Sequence, residues 1–313
     1  MSDKRCAFIA VIGAPNAGKS SLVNAMVGAK VSIVTHKVQT TRARVRGVVI
    51  EGAAQLVFID TPGIFTPKRK LDRAMVAAAW EGLEGADAVL LIVDAPSYLA
   101  GNGAERADAA ARRAAAGTDA IIAVLKEKNA KVILVINKTD TLARTKLLAL
   151  IAELNAHGVF SDTFLISATR GDGVADLKKF LADRAPEGAW MYPEDQLSDI
   201  SDRLMAAEVT REKIYLRLHQ ELPYEATVET ESWTRTKKGE LRVEQTIYVM
   251  RDGQKAIVLG KGGETLKSIG TAAREELTNL LGEPVHLFLH VKVREGWADE
   301  DARLRALGLD GAG

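Results

Sequence analysis

The octapeptide Gly13-Ala14-Pro15-Asn16-Ala17-Gly18-Lys19-Ser20 constrains this chain more than any other stretch. It matches the Gly-x-x-x-x-Gly-Lys-Ser/Thr pattern, follows an apolar strand-like run at 8–12 and precedes helical spacing at 20–27. A strand, a glycine-rich turn and a helix N-terminus together make an anion cradle. Gly13 and Gly18 allow close backbone approach, and the loop N–H groups, those of Ala14, Asn16 and Ala17 included but not Pro15, which has none, face the phosphates. Lys19 reaches β/γ oxygens, the Ser20 hydroxyl suits Mg²⁺, and Ser21 continues the first helical turn. The motif specifies a nucleotide but not its base.

The surrounding pattern says what sheet carries the loop. Continuous apolar runs at 8–12, 55–59, 89–93, 132–136 and 164–167 read as strands covered on both faces. Helical spacing at 20–27, 71–83, 142–154 and 174–181 separates them. This alternation predicts an α/β fold with a doubly wound, mostly parallel sheet over 1–185. The segment 186–198, with Pro186, Gly188 and Pro193, reads as a linker. The alanine-rich stretch 109–116 reads as helix without a functional signal.

Three strand ends then narrow the base. Asp60-Thr61-Pro62-Gly63 closes the 55–59 strand, so Asp60 can hold the magnesium shell and the Gly63 N–H can meet a γ-phosphate. Asn137-Lys138-Thr139-Asp140 closes the 132–136 strand. Asp140 can accept from the N1–H and N2–H₂ of guanine, a donor pair that adenine lacks. Ser167-Ala168 closes a third strand and can offer a backbone N–H to guanine O6. Each signal alone is weak, but all stand in order at the C-terminal edge, where open parallel sheets bind ligands.

On these motifs the first 185 residues resemble a translation-factor-class GTPase domain. The resemblance implies a threonine that ligates Mg²⁺ upstream of Asp-x-x-Gly, and Gln39-Thr40-Thr41-Arg42 supplies two candidates, Thr41 favoured over Thr40. Lys19, Thr41 and Gly63 then form the expected catalytic set. One position departs: small signalling GTPases carry a water-orienting glutamine where this chain has Ile64, itself counted in the expected GTP-binding set. Related GTPases with an apolar residue there use K⁺ held by a phosphate-loop asparagine, and Asn16 holds that place. The plainer alternative is that Asn16 only shapes the loop.

From about 199 the order changes. Helical spacing at 204–218, alternation at 241–249, a helix at 264–281 and alternation at 285–294 predict a smaller α+β domain over 199–297, with a tail at 298–313. Between helices lies Gly260-Lys261-Gly262-Gly263, a Gly-x-x-Gly loop of the kind that clamps four backbone nucleotides in KH domains. Lys plus Arg is 42 against 41 Asp plus Glu, so overall charge names no polyanionic partner. The loop region does: from 254 to 274 stand Lys255, Lys261, Lys267 and Arg274 against Glu264 alone. The helix, two strands, two helices and strand match the prokaryotic, type II KH topology.

The pair of domains, with Glu221-Leu222-Pro223-Tyr224 and Arg294-Glu295-Gly296-Trp297, resembles the Era family of bacterial KH-domain GTPases over nearly the whole chain. The resemblance implies a slow, Mg²⁺-dependent, monomeric GTPase that cycles between GTP and GDP. It also implies binding to the 3′ end of small-subunit ribosomal RNA, a role in maturing the small ribosomal subunit, and a cytoplasmic place with some peripheral attachment to the inner membrane. The stretch 100–117 is longer than the family usually has.

Two rival readings remain from the residues: a constitutive RNA-binding assembly protein with a structural nucleotide, and an ATPase, against which Asp140 argues. The lone Cys6 excludes an intramolecular disulfide and fits a reducing compartment. The start, Met1 to Arg5 before an apolar run, imitates a signal peptide but reads as a first strand. His36, His157, His219, His286 and His290 lack metal-ligand spacing apart from the last two, which share a strand face. Trp233 and Trp297 read as packing. Arg42 and Arg44 are balanced between a phosphate contact and a surface role.

Overall fold

The computed structural model describes residues 4–35, 37, 41–42, 45–65, 67, 69–103, 108–218, 222–297 and 300. Thr40, Gln39, Arg44, His36, His219, Glu221 and the tail from 301 onward therefore lie outside the described residues. The described residues of 1–32 and 41–199 form one compact unit, and those of 33–40 and 200–306 form a second.

The first unit is a six-stranded sheet in the order β2-β3-β1-β4-β5-β6. Its strands are β1 (Arg5–Gly13), β2 (Val45–Glu51), β3 (Ala54–Asp60), β4 (Ala88–Asp94), β5 (Val132–Asn137) and β6 (Phe160–Leu165). All neighbours run parallel except β2 against β3. Its helices are α1 (Lys19–Val27), α2 (Lys70–Glu81), α3 (Ala95–Gly103), α4 (Ala109–Glu127), α5 (Arg144–Asn155) and α6 (Val174–Arg184). Successive strand residues point to opposite faces, so the continuous apolar runs build two cores. Ile9, Val11, Leu90, Ile92 and Val135 pack with Leu22, Val23 and Leu177. Ile12, Leu91, Val93, Leu134 and Ile136 pack with Ala115, Ile121, Leu125 and Leu150 on the other side.

Several features depart from the sequence reading: α3 has no counterpart in it, and the strand expected at 164–167 is β6, Phe160–Leu165. Strand β2 has no counterpart in it either. The stretch 186–198 is not a free linker but is bonded to this unit: Cys6 N donates to Pro186 O at 3.1 Å, and Gly188 N to Lys4 O at 3.1 Å. The buried Gln55 donates to Tyr192 O at 2.8 Å and accepts from the Met191 and Tyr192 N–H groups. Val48 N donates to Leu197 O at 2.8 Å, which occupies part of the otherwise open edge of β2. The alanine-rich stretch belongs to α4, whose Ala111, Ala115, Thr118, Ile121, Ile122 and Leu125 are buried.

The second unit contains α7 (Asp202–Arg217), β7 (Ala226–Arg235), β8 (Leu241–Val249), α8 (Asp252–Leu259), α9 (Glu264–Leu281) and β9 (Val285–Val293). Its sheet runs β7-β8-β9, antiparallel between the first pair and parallel between the second. Ser201 caps α7 by accepting from Leu204 N at 3.3 Å. Ile269, Ala273 and Leu277 form the buried stripe of α9, four residues apart as helical packing requires. Trp297 is 1% exposed with Nε1 donating to Glu225 O, so it is a packing residue. His286 and His290 are exposed on β9, and His286 pairs with Glu240 at 3.0 Å. Among the described residues there is no cluster of His, Cys, Asp and Glu that could hold a metal ion, and no helix long and apolar enough to cross a membrane.

Candidate functional site

The phosphate loop leaves β1 and enters α1 as the spacing predicts. Gly18 has φ 98, and a Cβ there would overlap the Asn137 amide nitrogen, so only glycine lets the loop close on the neighbouring strand end. Asn16 also takes the left-handed conformation, at φ 64. Lys19 is 6% exposed, with Nζ donating to Gly13 O at 3.2 Å and Ala14 O at 3.1 Å. Burial pushes its ammonium down to about 8, against the opposing pull of Asp60.

That shift gives a signed expectation. An exposed lysine titrates near 10.5, so between about 8 and 10.5 the unfolded chain binds a proton that the folded chain does not. Stability of the ligand-free protein therefore rises as pH climbs through that window. A bound triphosphate favours the charged lysine and reverses the shift. Nucleotide binding at about pH 9 is expected to take up close to one proton, measured as the dependence of calorimetric heat on buffer ionisation enthalpy. Absence of uptake would refute a lysine buried towards the phosphates.

Three oxygen donors converge beside this lysine. Ser20 Oγ donates to Asp60 Oδ2 at 2.7 Å and lies 2.8 Å from Thr41 Oγ1, while Thr41 Oγ1 lies 3.4 Å from the same carboxylate oxygen. Asp60 is fully buried, and burial pushes its carboxyl up against the Ser20 hydrogen bond and the Lys19 charge. Among the described residues its Oδ1 is buried without a hydrogen-bond partner. Two hydroxyls and a carboxylate with an unused oxygen form a hard-oxygen donor set that fits Mg²⁺. Of the two threonine candidates only Thr41 is described, and it is in this cluster.

The loops expected to read the base are braced to the phosphate loop. Asn137 Nδ2 donates to Ala17 O at 2.9 Å, and Lys138 Nζ donates to Asn16 O at 3.1 Å. Lys138, at φ 62, also pairs with Asp94 at 2.5 Å. Thr139 donates through its hydroxyl to Ile166 O at 2.9 Å. Asp140 is half-buried with Oδ2 3.2 Å from Arg170 Nε. The Ala168 N–H donates to Asn137 Oδ1 at 3.1 Å, and the Ser167 N–H to Asp172 O at 3.0 Å. Both backbone groups expected to meet guanine O6 therefore have protein partners in this conformation.

Around Gly63 the expectations divide. Gly63 lies against Pro15, and the next N–H, of Ile64, donates to Gly13 O at 3.1 Å. Thr61, counted among the nucleotide contacts, is fully buried with its hydroxyl donating to Val11 O at 2.7 Å, which ties β3 to β1. Ile64 is 7% exposed in the cluster with Ile12, Tyr98 and Ala115, so its side chain serves the core. Arg42 is 2% exposed, which removes the surface reading. Asp94 and Arg170 were not singled out from the sequence. Asp94 could have been, because it ends β4 at the same sheet edge as Asp60 and Asn137.

In the second unit, α8 and α9 are joined by Gly260 and a 3₁₀ turn over Lys261–Gly263. Gly262 and Gly263 have φ of 61 and 83 with open space around them, so the backbone is bare to an incoming strand. Lys261 and Lys267 are exposed and Lys255 is half-buried, with the apolar Ile257 56% exposed on the same α8.

Known proteins resemble both parts of the chain. A family described as "50S ribosome-binding GTPase" matches residues 8–138, and the KH domain family matches residues 221–298. GTPase Era of Caulobacter vibrioides (strain NA1000 / CB15N) is 57% identical over 309 residues, covering 99% of this chain and 98% of the relative. GTPase Era of Dinoroseobacter shibae is 56% identical over 312 residues, covering 98% and 96%. A crystal structure of Era in complex with MgGDPNP and nucleotides 1506–1542 of 16S ribosomal RNA superimposes with a TM-score of 0.85 at 36% identity, covering 98% of this chain and 99% of that one. A substituted Aquifex aeolicus Era bound to GDP·AlF₄⁻ gives 0.84 at 36% identity, covering 97% and 99%.

Proposed function

The chain belongs to the Era family of GTPases, and from that premise we propose that it acts as a GTP-hydrolysing switch whose KH loop binds the 3′ end of small-subunit ribosomal RNA during maturation of the small ribosomal subunit. The observation that carries the residue assignment is the convergence of Ser20, Thr41 and Asp60 oxygens beside the buried Lys19. Lys19 and the loop N–H groups hold the triphosphate. Ser20, Thr41 and Asp60 hold Mg²⁺, which neutralises charge developing on the phosphates. Asp140 reads guanine, and Asn137 and Lys138 keep its loop in register with the phosphate loop.

Ile64 is packed in the core and has no polar atom to orient water. We assign the missing charge stabilisation to K⁺, ligated in part by Asn16 on its left-handed turn. Multiple-turnover phosphate release tests this together with the enzyme reading. Turnover in K⁺ is expected to exceed that in Na⁺ by at least about tenfold, a modest share of what an arginine finger supplies. Asn16→Ala should remove most of the difference. Equal turnover in both salts would leave Asn16 a loop-shaping residue.

The described residues 33–35 and 37 group with the second unit: Val34 N donates to Glu212 Oε1 at 2.9 Å, and Lys37 Nζ bonds the Tyr215 and Leu218 carbonyls at the end of α7. We infer that ordering of Thr41 around bound GTP pulls on this segment and alters how the KH loop is presented. We also infer that the protein is a monomer in the cytoplasm, with peripheral attachment to the inner membrane.

A further inference from the structure

The guanine-reading carboxylate has a neighbour that no motif contains. Arg170, in the turn after Ser167-Ala168, sets Nε 3.2 Å from Asp140 Oδ2, with side-chain exposures of 65% and 13%. The backbone beneath it is pinned: Arg170 N and Gly171 N donate to Ser167 O at 3.2 and 2.8 Å, and Ser167 N to Asp172 O at 3.0 Å. The Asp140 loop is tied to the same strand end, since Thr139 donates to Ile166 O through both N–H and hydroxyl. Two hydrogen-bonded loops thus hold one ion pair between them.

The chemistry of guanine makes that pair matter. Asp140 must present both oxygens to the N1–H and N2–H₂ edge, and a carboxylate on two rotatable bonds does not hold that orientation unaided. Each carboxylate oxygen has two acceptor sites, so Oδ2 can accept from Arg170 and still accept from the base. The Arg170 guanidinium, with donors in a fixed plane, suits the task better than an ammonium. We propose that Arg170 is a positioning residue for guanine recognition: it fixes the rotamer of Asp140 so that both oxygens meet the base. The inference rests on reading Asp140 as the guanine acceptor.

Inosine diphosphate separates the two hydrogen bonds, because inosine keeps N1–H and lacks the 2-amino group. Dissociation constants of the full chain for GDP and IDP are measured for wild type, Arg170→Ala and Arg170→Lys. Arg170→Ala is expected to weaken GDP about three- to fivefold, the size an exposed ion pair supplies, and IDP by less than twofold. Arg170→Lys should recover part of the GDP/IDP ratio, and the wild-type advantage should shrink in high salt. An unchanged ratio would overturn the proposal. So would tighter GDP binding, because Arg170 would then be a competitor for Asp140. Asp140→Asn tells the two levels apart: retained preference for GDP over XDP in that variant would refute the Asp140 reading itself. If that reading holds, adding Arg170→Ala to Asp140→Asn should change the ratio no further.

Discussion

Asp140→Asn is expected to weaken GTP binding by about two to three orders of magnitude and to bring in xanthosine triphosphate. The carboxylate accepts from two guanine donors, and each hydrogen bond to a charged group is worth about 1.5–3 kcal/mol. An amide keeps one acceptor and turns a donor towards the 2-amino group, so one bond is lost and two donors oppose each other. Xanthine carries a carbonyl at that carbon, which the amide can meet. Asp140 lies in the middle of the short 3₁₀ turn Thr139–Thr141 and is not in a core cluster, so the fold should survive. Competition titrations with GTP, XTP and ATP measure the outcome. A variant that kept full preference for GTP would place the reader elsewhere and reopen the ATPase alternative.

The second large effect lies in the other unit. Gly262→Asp is expected to reduce affinity for an RNA of the 16S 3′ end by about a hundredfold or more, with GTP affinity unchanged. The Gly262 backbone sits at φ 61, and Asp tolerates that left-handed region better than most residues. No atom lies within 4 Å of the added Cβ, so the side chain fits the free protein. Its charge then meets a phosphate at close range, where repulsion at an effective dielectric near 20 reaches about 4 kcal/mol at 4 Å. Gly262→Asn carries the same shape without the charge and should lose far less. Measuring RNA affinity with GTP and with GDP in wild type checks the coupling through 33–40 in the same experiment. Loss of both RNA and GTP binding in Gly262→Asp would show that the two sites are not separable.

Much of the nucleotide site was legible because its chemistry is local. A loop that wraps phosphate must place glycines, a lysine and a hydroxyl within eight residues, and the strand ends that read the base are short tetrapeptides. The Gly-x-x-Gly loop is local in the same sense. Strand β2 was missed because Val45–Glu51 lies at a sheet edge with a mixed burial pattern, without the continuous apolar run of the central strands. Thr61 shares a tetrapeptide with Asp60 and Gly63, yet its hydroxyl turns to Val11, a choice set by the pairing of β3 with β1. The stretch 186–198 looked like a linker because its prolines and glycine mark irregular backbone; irregular backbone can still be bonded throughout, as Gln55 and Tyr192 demonstrate.

What the chain encodes locally is therefore the kind of chemistry: a phosphate cradle, a guanine-reading tetrapeptide and a bare loop for a nucleic-acid backbone. Only folding decides which groups stand across from them. Asp94 reaches Lys138 across 44 positions, Arg170 reaches Asp140 across a strand and its following turn, and Ile64 disappears into a core it shares with α3 and α4. Such pairings depend on sheet order and on which face a side chain takes, properties of the packed whole that no window of residues contains.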